Sequence, residues 1–404
     1  MIDIGTGVST AKDDFSAIEE AVRIAKSKKV NKEKIDLAII FNSTSSPTPA
    51  IIKNLSILLA RVPLIGGTTG GFFSEQGIFK HGIVVMLITF PEGVYFTTAS
   101  IPGISTGNAV ASGESMGEKL LFGFKNVPRS LGLLFFDKLT ENCNGFISGL
   151  QEKLGRSFPC IGAALITPDK NDQGRLFFND GAVSDACAGI LFGGKLSFGI
   201  GLRHGWKPLG KPHTITSTSD NIIHKIDDQP AIQLYEEYLS YDFPRLKKEF
   251  KTLSTLYPIG IRIPGQNEYL LRSIVDIKND GSLVCHGQVP PNSVTRLMIS
   301  TKETCLEATK EAIDEAKAQL ESHAVKFHKE KTSRMVIVFS SMPRALSLGK
   351  GTMTEWQLIK GAFGPETSII GINTLSELAP LMSSSYMGQA YFQNQMISFL
   401  IIEG

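Results

Sequence analysis

One pattern of local structure occurs three times along this chain, and it limits the possible fold more than any other feature of the sequence. Each copy contains a Val/Ile-Ser-Thr triplet, an amphipathic helix, a buried strand, a second helix, a strand with an Ile-Gly pair, and a final apolar strand. The triplets begin at Val8, Ile104 and Ile299. Such self-similarity indicates that one supersecondary unit is repeated. The first two pseudo-repeats span residues 8–90 and 104–195.

The first predicted strand of each copy is apolar along almost its whole length. These strands are Ile35–Phe41, Leu131–Phe136 and Met335–Phe339. Strands without polar alternation are covered on both faces, and the helices between them supply that cover. The sequence therefore predicts an α/β (mixed α+β) fold, in which repeated helix-strand-helix-strand-strand units form layered sheets covered by helices.

The first helix of the first copy illustrates the helical period. Its apolar face is predicted to consist of Phe15, Ile18, Val22 and Ala25. This spacing places all four side chains on one side of a helix. Ser9 or Thr10 precedes the helix and is expected to cap its N-terminus.

A chain of 404 residues is too long for one ordinary hydrophobic core, so we expect two domains. The N-terminal domain, residues 1–228, would hold the first two pseudo-repeats and linking hairpins. The C-terminal domain, residues 229–404, would hold the third copy. Residues 196–298 are of a different kind, because they are rich in turn signals such as Asn279-Asp280-Gly281, which favours a hairpin.

Composition excludes several classes of partner. The net charge is +2, which provides no global field for nucleic acid or for an anionic membrane. No apolar run approaches the roughly 18 residues of a membrane span, and the N-terminus does not resemble a signal peptide. The five cysteines are scattered, which argues against a disulfide framework or a zinc site and favours a cytoplasmic location.

Several stretches, in a consistent order, resemble the FIST family. They are Leu64-Ile-Gly-Gly-Thr-Thr-Gly70, His204-Gly-Trp-Lys-Pro-Leu-Gly210, Tyr235–Leu239, Ser376-Glu377-Leu-Ala-Pro380 and Gln393-Asn394-Gln395. The resemblance implies a FIST N-terminal and a FIST C-terminal domain, and signal transduction through binding of a small ligand, with amino acids or their derivatives as proposed ligands. FIST domains are often fused to methyl-accepting, histidine-kinase or diguanylate-cyclase modules, and some stand-alone members are described as haem-binding nitric-oxide sensors.

The sequence departs from the family pattern at the end of the third copy's buried strand. Where the family often has Cys and then Gly-Arg, this chain has Ser340-Ser341-Met342-Pro343-Arg344. The thiol is therefore absent. Gln393 also stands in place of a family histidine.

The glycine-rich loop of the first copy is a candidate ligand site. Gly66, Thr68, Thr69 and Gly70 follow a strand, where α/β proteins usually bind ligands. Glycines allow backbone amides to approach a ligand, and the threonine hydroxyls could hold a carboxylate or a phosphate. The alternative is a tight connection between strands that requires positive φ angles.

The third copy carries further candidates. Asn373 and Glu377 occupy the equivalent loop, where the glutamate could bind a ligand ammonium group or could simply cap a surface turn. Arg344 could pair with a ligand carboxylate. Asn394 could read the polar edge of a ligand or satisfy a turn, and Ser341 could contact a ligand or act as a nucleophile.

Arg203 and His204 combine a cation with an imidazole next to Trp206. His204 could ligate haem or a metal, but a single histidine is more often a hydrogen-bonded structural residue. We expect Trp206 to be a packing anchor.

Three functions remain open from the sequence. The first is a small-ligand sensor without a cofactor that acts on a separate partner, such as a histidine kinase or a chemoreceptor, because the chain shows no output module. The second is a haem-based gas sensor. The third is a hydrolase or transferase that uses Ser341, although no G-x-S-x-G or H-E-x-x-H motif occurs, so we assign no catalytic residue.

Overall fold

A computed structural model describes residues 1–404 apart from 45–48, 125, 139–142, 168–173, 266–267, 325–332 and 384–385. The helices are α1 Asp14–Lys28, α2 Pro49–Leu58, α3 Ala109–Leu121, α4 Cys143–Leu154, α5 Gln233–Leu239, α6 Phe243–Leu256, α7 Lys302–Ala324, α8 Met342–Leu348 and α9 Gly351–Phe363. The strands are β1 Asp3–Ser9, β2 Leu37–Asn42, β3 Leu64–Thr68, β4 Phe72–Ser74, β5 Gly77–Phe79, β6 Ile83–Thr89, β7 Val94–Pro102, β8 Arg129–Phe136, β9 Cys160–Ala164, β10 Leu176–Phe178, β11 Gly181–Val183, β12 Ala186–Gly194, β13 Ser197–Arg203, β14 Lys207–Ser219, β15 Ile222–Ile226, β16 Gln229–Pro230, β17 Ile259–Arg262, β18 Tyr269–Arg272, β19 Ile274–Ile277, β20 Leu283–Cys285, β21 Val294–Ile299, β22 Arg334–Ser341, β23 Ser368–Thr374, β24 Ser376–Ser383, β25 Tyr386–Gln393 and β26 Ile397–Glu403.

The predicted fold class is confirmed, and the chain contains three structurally equivalent units. The first unit runs from β1 to β6, the second from β7 to β12, and the third from β13 to β26. In the third unit, the elements from β14 to β21 form an insertion between the first strand and the first helix. The unit therefore begins earlier than its Ile299 triplet predicts, and the insertion does not include β13.

Each unit completes the sheet of another unit with a hairpin. The first sheet has the order β1-β6-β2-β3-β10-β11, the second β7-β12-β8-β9-β24-β25, and the third β13-β26-β22-β23-β4-β5. The first four strands in each order come from one unit, and the last two come from the hairpin of another unit. The three sheets are thus interlocked in a ring.

The parallel strand pairs fix which residues of the three units are equivalent. Gly66 lies opposite Ile40 in the first unit, Gly162 opposite Leu134 in the second, and Gly371 opposite Val338 in the third. Each of these glycines belongs to one of the Ile-Gly pairs seen in the sequence. The repeat inferred from the sequence is therefore matched residue by residue in the strand register.

Three equivalent phenylalanines meet in the central core. Phe41, Phe135 and Phe339 each follow the residue opposite one of these glycines, and all three are fully buried. The ring centroids of Phe41 and Phe135 are 5.4 Å apart, and those of Phe135 and Phe339 are 6.0 Å apart, both in edge-on geometry. The inner faces of the three sheets therefore share one apolar centre.

The outer face of each sheet is covered by the helices of its own unit. Helices α1 and α2 cover the first sheet, α3 and α4 the second, and α7 and α9 the third. The inserted strands form a separate sheet with its own apolar core, which includes residues of α5 and α6. As predicted, Asn279-Asp280-Gly281 connects two antiparallel strands, β19 and β20.

Two predictions about α1 are wrong. Phe15 is 47% exposed and lies outside the buried face, which instead includes Ala17 and Ala21. The N-cap is Asp13, whose carboxylate accepts a hydrogen bond from the Ser16 amide at 2.8 Å. Ser9 cannot cap the helix because it ends the preceding strand β1.

Candidate ligand-binding site

The three units meet where their parallel strands end. The Thr69 hydroxyl donates to the Asn373 carbonyl at 2.7 Å, which joins the first unit to the third. A methyl group on Gly70 would lie 2.3 Å from Met342 Cε and 3.3 Å from Ile166, so residues of all three units surround this glycine. Thr69, Gly70 and Asn373, which were predicted separately from the sequence, are therefore brought together.

A layer of polar residues follows the three central phenylalanines. Ser43, Asp137 and Ser341 each lie two positions beyond one of those rings, and all three are buried. Ser341 is the last residue of β22, and Ser43 and Asp137 come directly after β2 and β8. Ser341 was predicted from the sequence, but Ser43 and Asp137 were missed. The pattern Phe-x-(Ser/Asp) at one register in all three copies would have revealed them.

Asp137 is held at this position by main-chain donors. Its carboxylate accepts hydrogen bonds from the amides of Asp185 at 2.5 Å and Ala186 at 3.0 Å. Burial raises the pKa of the Asp137 carboxyl, and the two amide donors oppose that effect. The second unit thus contributes a buried acid to the polar layer.

Glu377 is the most unusual acid in the region, because it lies in β24 and is fully buried. Its Oε1 atom accepts from the Thr374 hydroxyl at 2.5 Å, and its Oε2 atom accepts from the Met396 amide at 3.2 Å. No Lys or Arg among the described residues forms an ion pair with it, and the Arg344 charge, which is paired with Glu355, lowers its pKa only in part. Burial raises the pKa of Glu377 to about 8. The alternative of a cap on a surface turn is therefore wrong.

Arg344 is also buried, but its carboxylate partner belongs to the protein. Nη1 donates to Glu355 Oε1 at 2.5 Å, and Nη2 donates to the Cys305 carbonyl at 2.5 Å and to the Thr309 hydroxyl at 2.8 Å. The terminal nitrogens are therefore engaged within the fold. Nε, by contrast, has no hydrogen-bond partner among the described residues.

Other buried polar atoms near Glu377 lack partners in the described part of the chain. They are Ser341 Oγ, Gln393 Oε1 and Gln395 Oε1. The Ser341 amide donates to the Met396 carbonyl at 3.0 Å, and the Met396 amide binds Glu377, so these residues belong to one neighbourhood. A buried polar group without a partner costs about 1–3 kcal/mol. This concentration makes the region the strongest candidate for binding a polar molecule.

Asn394 connects this region to the inserted sheet. Its Oδ1 atom accepts from the Ser273 amide at 3.0 Å, and its Nδ2 atom donates to the Ser376 hydroxyl at 3.3 Å. Nearby, Arg272 Nη1 donates to the Phe392 carbonyl at 3.0 Å. Asn394 was predicted either to bind a ligand or to satisfy a local turn. Its side chain instead links the third unit to the insertion.

Gly66 and Thr68 lie within β3 itself, so the expectation that they follow a strand is wrong. A methyl group on Gly66 would lie 1.7 Å from the Ile40 carbonyl oxygen, and the φ angle of Gly66 is +151°, so only glycine fits there. The Thr68 hydroxyl accepts from the Arg175 amide at 3.1 Å. These two contacts give Gly66 and Thr68 a structural role within the sheet, whereas Thr69 and Gly70 follow β3 and lie where the units meet.

Arg203 and His204 lie at the end of β13, beside α7. Arg203 forms ion pairs with Glu315 at 2.6 Å and with Glu311 at 3.3 Å. His204 Nδ1 accepts from the Trp206 amide at 2.9 Å, which assigns the ring proton to Nε2, 2.8 Å from Glu268 Oε2. Because Nδ1 accepts a hydrogen bond from the Trp206 amide and Nε2 lies beside the Glu268 carboxylate, the geometry favours the structural role of His204 over axial ligation.

Trp206 is a packing anchor, as predicted. Its side chain is buried in a cluster with Leu271, Met298, Cys305 and Leu348. This cluster joins the insertion to the third unit.

Two further observations limit the chemistry of the described residues. No group of three or more His, Cys, Asp or Glu side chains in that part of the chain could hold a metal ion. The Ser341 hydroxyl is fully buried, and no described histidine forms a hydrogen bond with it, so the arrangement does not resemble an activated nucleophile.

In the same described residues, no helix combines the length and apolar character needed to cross a bilayer.

Fold and site together define a class of protein: three interlocked α/β units whose strand ends enclose a buried polar centre. The chain belongs to the FIST family, because the FIST N domain model matches residues 36–229 and the FIST C domain model matches residues 231–380. FIST domains are associated with sensory signal transduction.

A curated relative is an uncharacterized protein of Methanocaldococcus jannaschii. It is 28% identical over 188 residues, which cover 44% of this chain and 35% of the relative. The chain therefore matches about a third of the length of that relative.

Proposed function

We propose that this protein is a cytoplasmic sensor that binds an amino acid or an amino-acid derivative at the strand-end centre and acts on a separate signalling partner. The observation that carries the proposal is Glu377, a fully buried carboxyl group with a raised pKa and no ion-pair partner among the described residues. Strongly perturbed buried acids in a polar pocket are a common feature of functional sites. Family membership supports the sensory role.

The chemistry of the centre suits a zwitterion. An ammonium group beside Glu377 would favour the ionised carboxylate, which the Thr374 hydroxyl and the Met396 amide already stabilise. Arg344 Nε and Ser341 Oγ can donate to a ligand carboxylate, since neither has a partner among the described residues. Binding would then release the proton of Glu377.

Hydrogen bonds connect the same centre to the inserted sheet, and a signal could pass through them. The Met396 amide contacts Glu377, and the preceding residues Asn394 and Gln395 hydrogen-bond to Ser273 of the insertion. A ligand that prefers one position of this segment would shift the inserted sheet relative to the three units. A partner such as a histidine kinase or a chemoreceptor would respond to that shift of the inserted sheet.

The experiment that tests the proposal combines native mass spectrometry with thermal unfolding against a panel of amino acids, their amides and their decarboxylated amines. A ligand that binds the folded state raises the melting temperature in proportion to its saturation. We expect a zwitterionic ligand to stabilise the wild type and to lose this effect in Glu377→Gln. The matched control Glu366→Gln changes an exposed acid before β23 and should retain the effect.

Three results would overturn the proposal. The first is an absence of retained or added ligand across the whole panel. The second is stabilisation of Glu377→Gln equal to that of the wild type. The third is preferential binding of ligands without an amino group.

A further inference from the structure

The three units differ at the strand that forms one edge of each sheet. In the first and third units, a helix packs directly on this strand through glycines. A methyl group on Gly7 of β1 would lie 1.9 Å from the Ala21 carbonyl oxygen of α1, and one on Gly201 of β13 would lie 1.9 Å from that of Ala312 in α7. The backbones of helix and strand are therefore in contact.

This close packing covers the edge of β13. Gln319 accepts a hydrogen bond from the Ile200 amide, and Glu315 accepts one from the Leu202 amide at 3.2 Å. These amides point away from β26, which is the ladder partner of β13 in its sheet. The helix thus occupies main-chain donors that would otherwise be open to another strand.

The equivalent strand of the second unit, β7, lacks this arrangement. The strand register places Thr97 and Ala99 where β13 has its glycines Gly199 and Gly201. Helix α3 instead packs closely on α4, where a methyl group on Gly113 would lie 2.0 Å from the Phe146 carbonyl oxygen. The close backbone contact of α3 is therefore made with a helix and not with the edge strand.

The outward backbone groups of β7 can be assigned from its ends. The Lys195 amide donates to the Gly93 carbonyl, and the Gly103 amide donates to the Asp185 carbonyl, so odd-numbered residues face β12. Phe96, Thr98 and Ser100 then direct their amides and carbonyls outward. Lys119 Nζ donates to the outward Ser100 carbonyl at 3.4 Å.

Open space and exposed aromatic rings lie beside this edge. A shallow cleft of about 620 Å³ is lined by Thr98 and Ser100 of β7, by Glu118, Lys119 and Phe122 at the C-terminal end of α3, and by Phe178. Phe122 is 80% exposed, and Tyr95 at the start of the strand is 51% exposed. Exposed rings next to an open strand edge mark an interaction surface.

We propose that β7 pairs with the β7 strand of a second copy of this chain, so that two second sheets join across a two-fold axis at Thr98. In this antiparallel register, Phe96 lies opposite Ser100 and Thr98 lies opposite Thr98, and each outward amide meets a carbonyl. Such an interface is isologous, because both copies use the same surface. The pairing goes beyond ligand binding at Glu377 and does not depend on it.

The composition of the strand favours a second copy as the occupant. Residues 94–102 contain no charged side chain, so the two paired strands themselves would place no like charges opposite each other. Edge strands that must stay unpaired usually carry lysine, an inward charge or a bulge, and Phe96–Ser100 has none of these. The Phe122 rings of both copies would lie on the same face and flank the new ladder.

Sedimentation velocity and light scattering over a wide concentration range test the proposal. Thr98→Pro removes one outward amide, a change that edge strands tolerate because that amide is not used in the sheet. Thr98→Val keeps the amide and is the matched control. We expect dimers for the wild type and for Thr98→Val, and monomers for Thr98→Pro with an unchanged circular dichroism spectrum.

A second variant covers the case in which Thr98→Pro does not fold. Thr98→Lys leaves the backbone intact and places two like charges opposite each other, so it should also be monomeric. Hydrogen exchange adds a local readout, because the Thr98 and Ser100 amides should become protected as the protein dimerises. A wild type that is monomeric at every concentration, or a Thr98→Lys variant that dimerises like the wild type, would overturn the proposal.

Discussion

Gln395 Nε2 donates to the Ser273 hydroxyl at 3.1 Å and to the Ser254 carbonyl at 3.2 Å. A single side chain before the last strand therefore ties the third unit to the insertion. The amide of the next residue, Met396, donates a hydrogen bond to the Glu377 carboxylate. Gln395 also adopts a positive φ angle of 58°, which non-glycine residues rarely do. The contacts on both sides of this segment hold it in that conformation.

The hydrogen bonds of the Gln395 side chain should contribute measurably to the free energy of unfolding. Gln395→Met keeps the size of the side chain but leaves the Ser254 carbonyl and the Ser273 hydroxyl without this donor. We expect a loss of about 1–3 kcal/mol in the free energy of unfolding by urea, the usual cost of a broken buried hydrogen bond. The exposed Gln229→Met should change stability by less than about 0.5 kcal/mol. Equal values for the two variants would show that the link contributes little.

The buried pair of Arg344 and Glu355 should show strong coupling. Removing one partner leaves an uncompensated buried charge, so Arg344→Met and Glu355→Met should each cost about 3–5 kcal/mol. The double variant leaves neither charge and should cost clearly less than the sum of the two single changes. Chemical denaturation of the four proteins completes the cycle, and additive losses would contradict a direct interaction.

Glu377 should make stability depend on pH. Its folded pKa of about 8 lies above the ordinary value of 4.5, so between these two values the folded state binds more protons than the unfolded state. This contribution to stability is therefore full below pH 4.5 and is lost as the pH rises toward 8. Glu377→Gln removes the effect. The stability of the variant relative to wild type should rise by up to about 1.4 kcal/mol per pH unit in this window.

Denaturant titrations of both proteins at several pH values measure that difference. Glu366→Gln, an exposed acid, should show no such trend. A difference between wild type and Glu377→Gln that stays constant from pH 5 to 8 would mean that Glu377 titrates at its ordinary pKa.

The central phenylalanines should dominate the energetics of the core. Phe135→Ala removes the ring that contacts both Phe41 and Phe339, and we expect a loss of about 3–5 kcal/mol. Phe15→Ala is the matched control because the Phe15 ring is half-exposed. Phe15→Ala should lower the free energy of unfolding by well under half the loss seen for Phe135→Ala in the same urea titration. Similar losses would place the main core elsewhere.

Two glycines should respond to alanine in opposite directions. Gly201→Ala drives a methyl group into the Ala312 carbonyl, so it should destabilise the fold by about 1–3 kcal/mol. A methyl group on Gly361 of α9 meets no atom, so Gly361→Ala should stabilise the helix by about 0.5–1 kcal/mol. Thermal unfolding of both variants checks the signs, and a neutral Gly201→Ala would contradict the close contact of α7 with β13.

Part of the candidate site was predictable from sequence, because its residues lie near the ends of buried strands whose type is locally encoded. Thr69 and Gly70 follow β3, whereas Asn373 and Glu377, which were expected in the equivalent loop, lie in β23 and β24. The partner of Arg344 was not predictable, since Glu355 lies on another helix and pairs with it only after folding. Ser43 and Asp137 were missed because neither residue is distinctive by itself, and only a comparison of the three copies at one register reveals them.

The sequence alone determined the repeated unit, the mixed α/β class and the resemblance to the FIST family. These rest on apolar runs, helical periods and glycines, which act within a few residues. Tertiary structure decided which sheet each hairpin joins, and that Glu377 is buried without an ion-pair partner among the described residues. A strand offers the same backbone groups to any edge, so its partner is chosen by the packing of the whole molecule and not by its own residues.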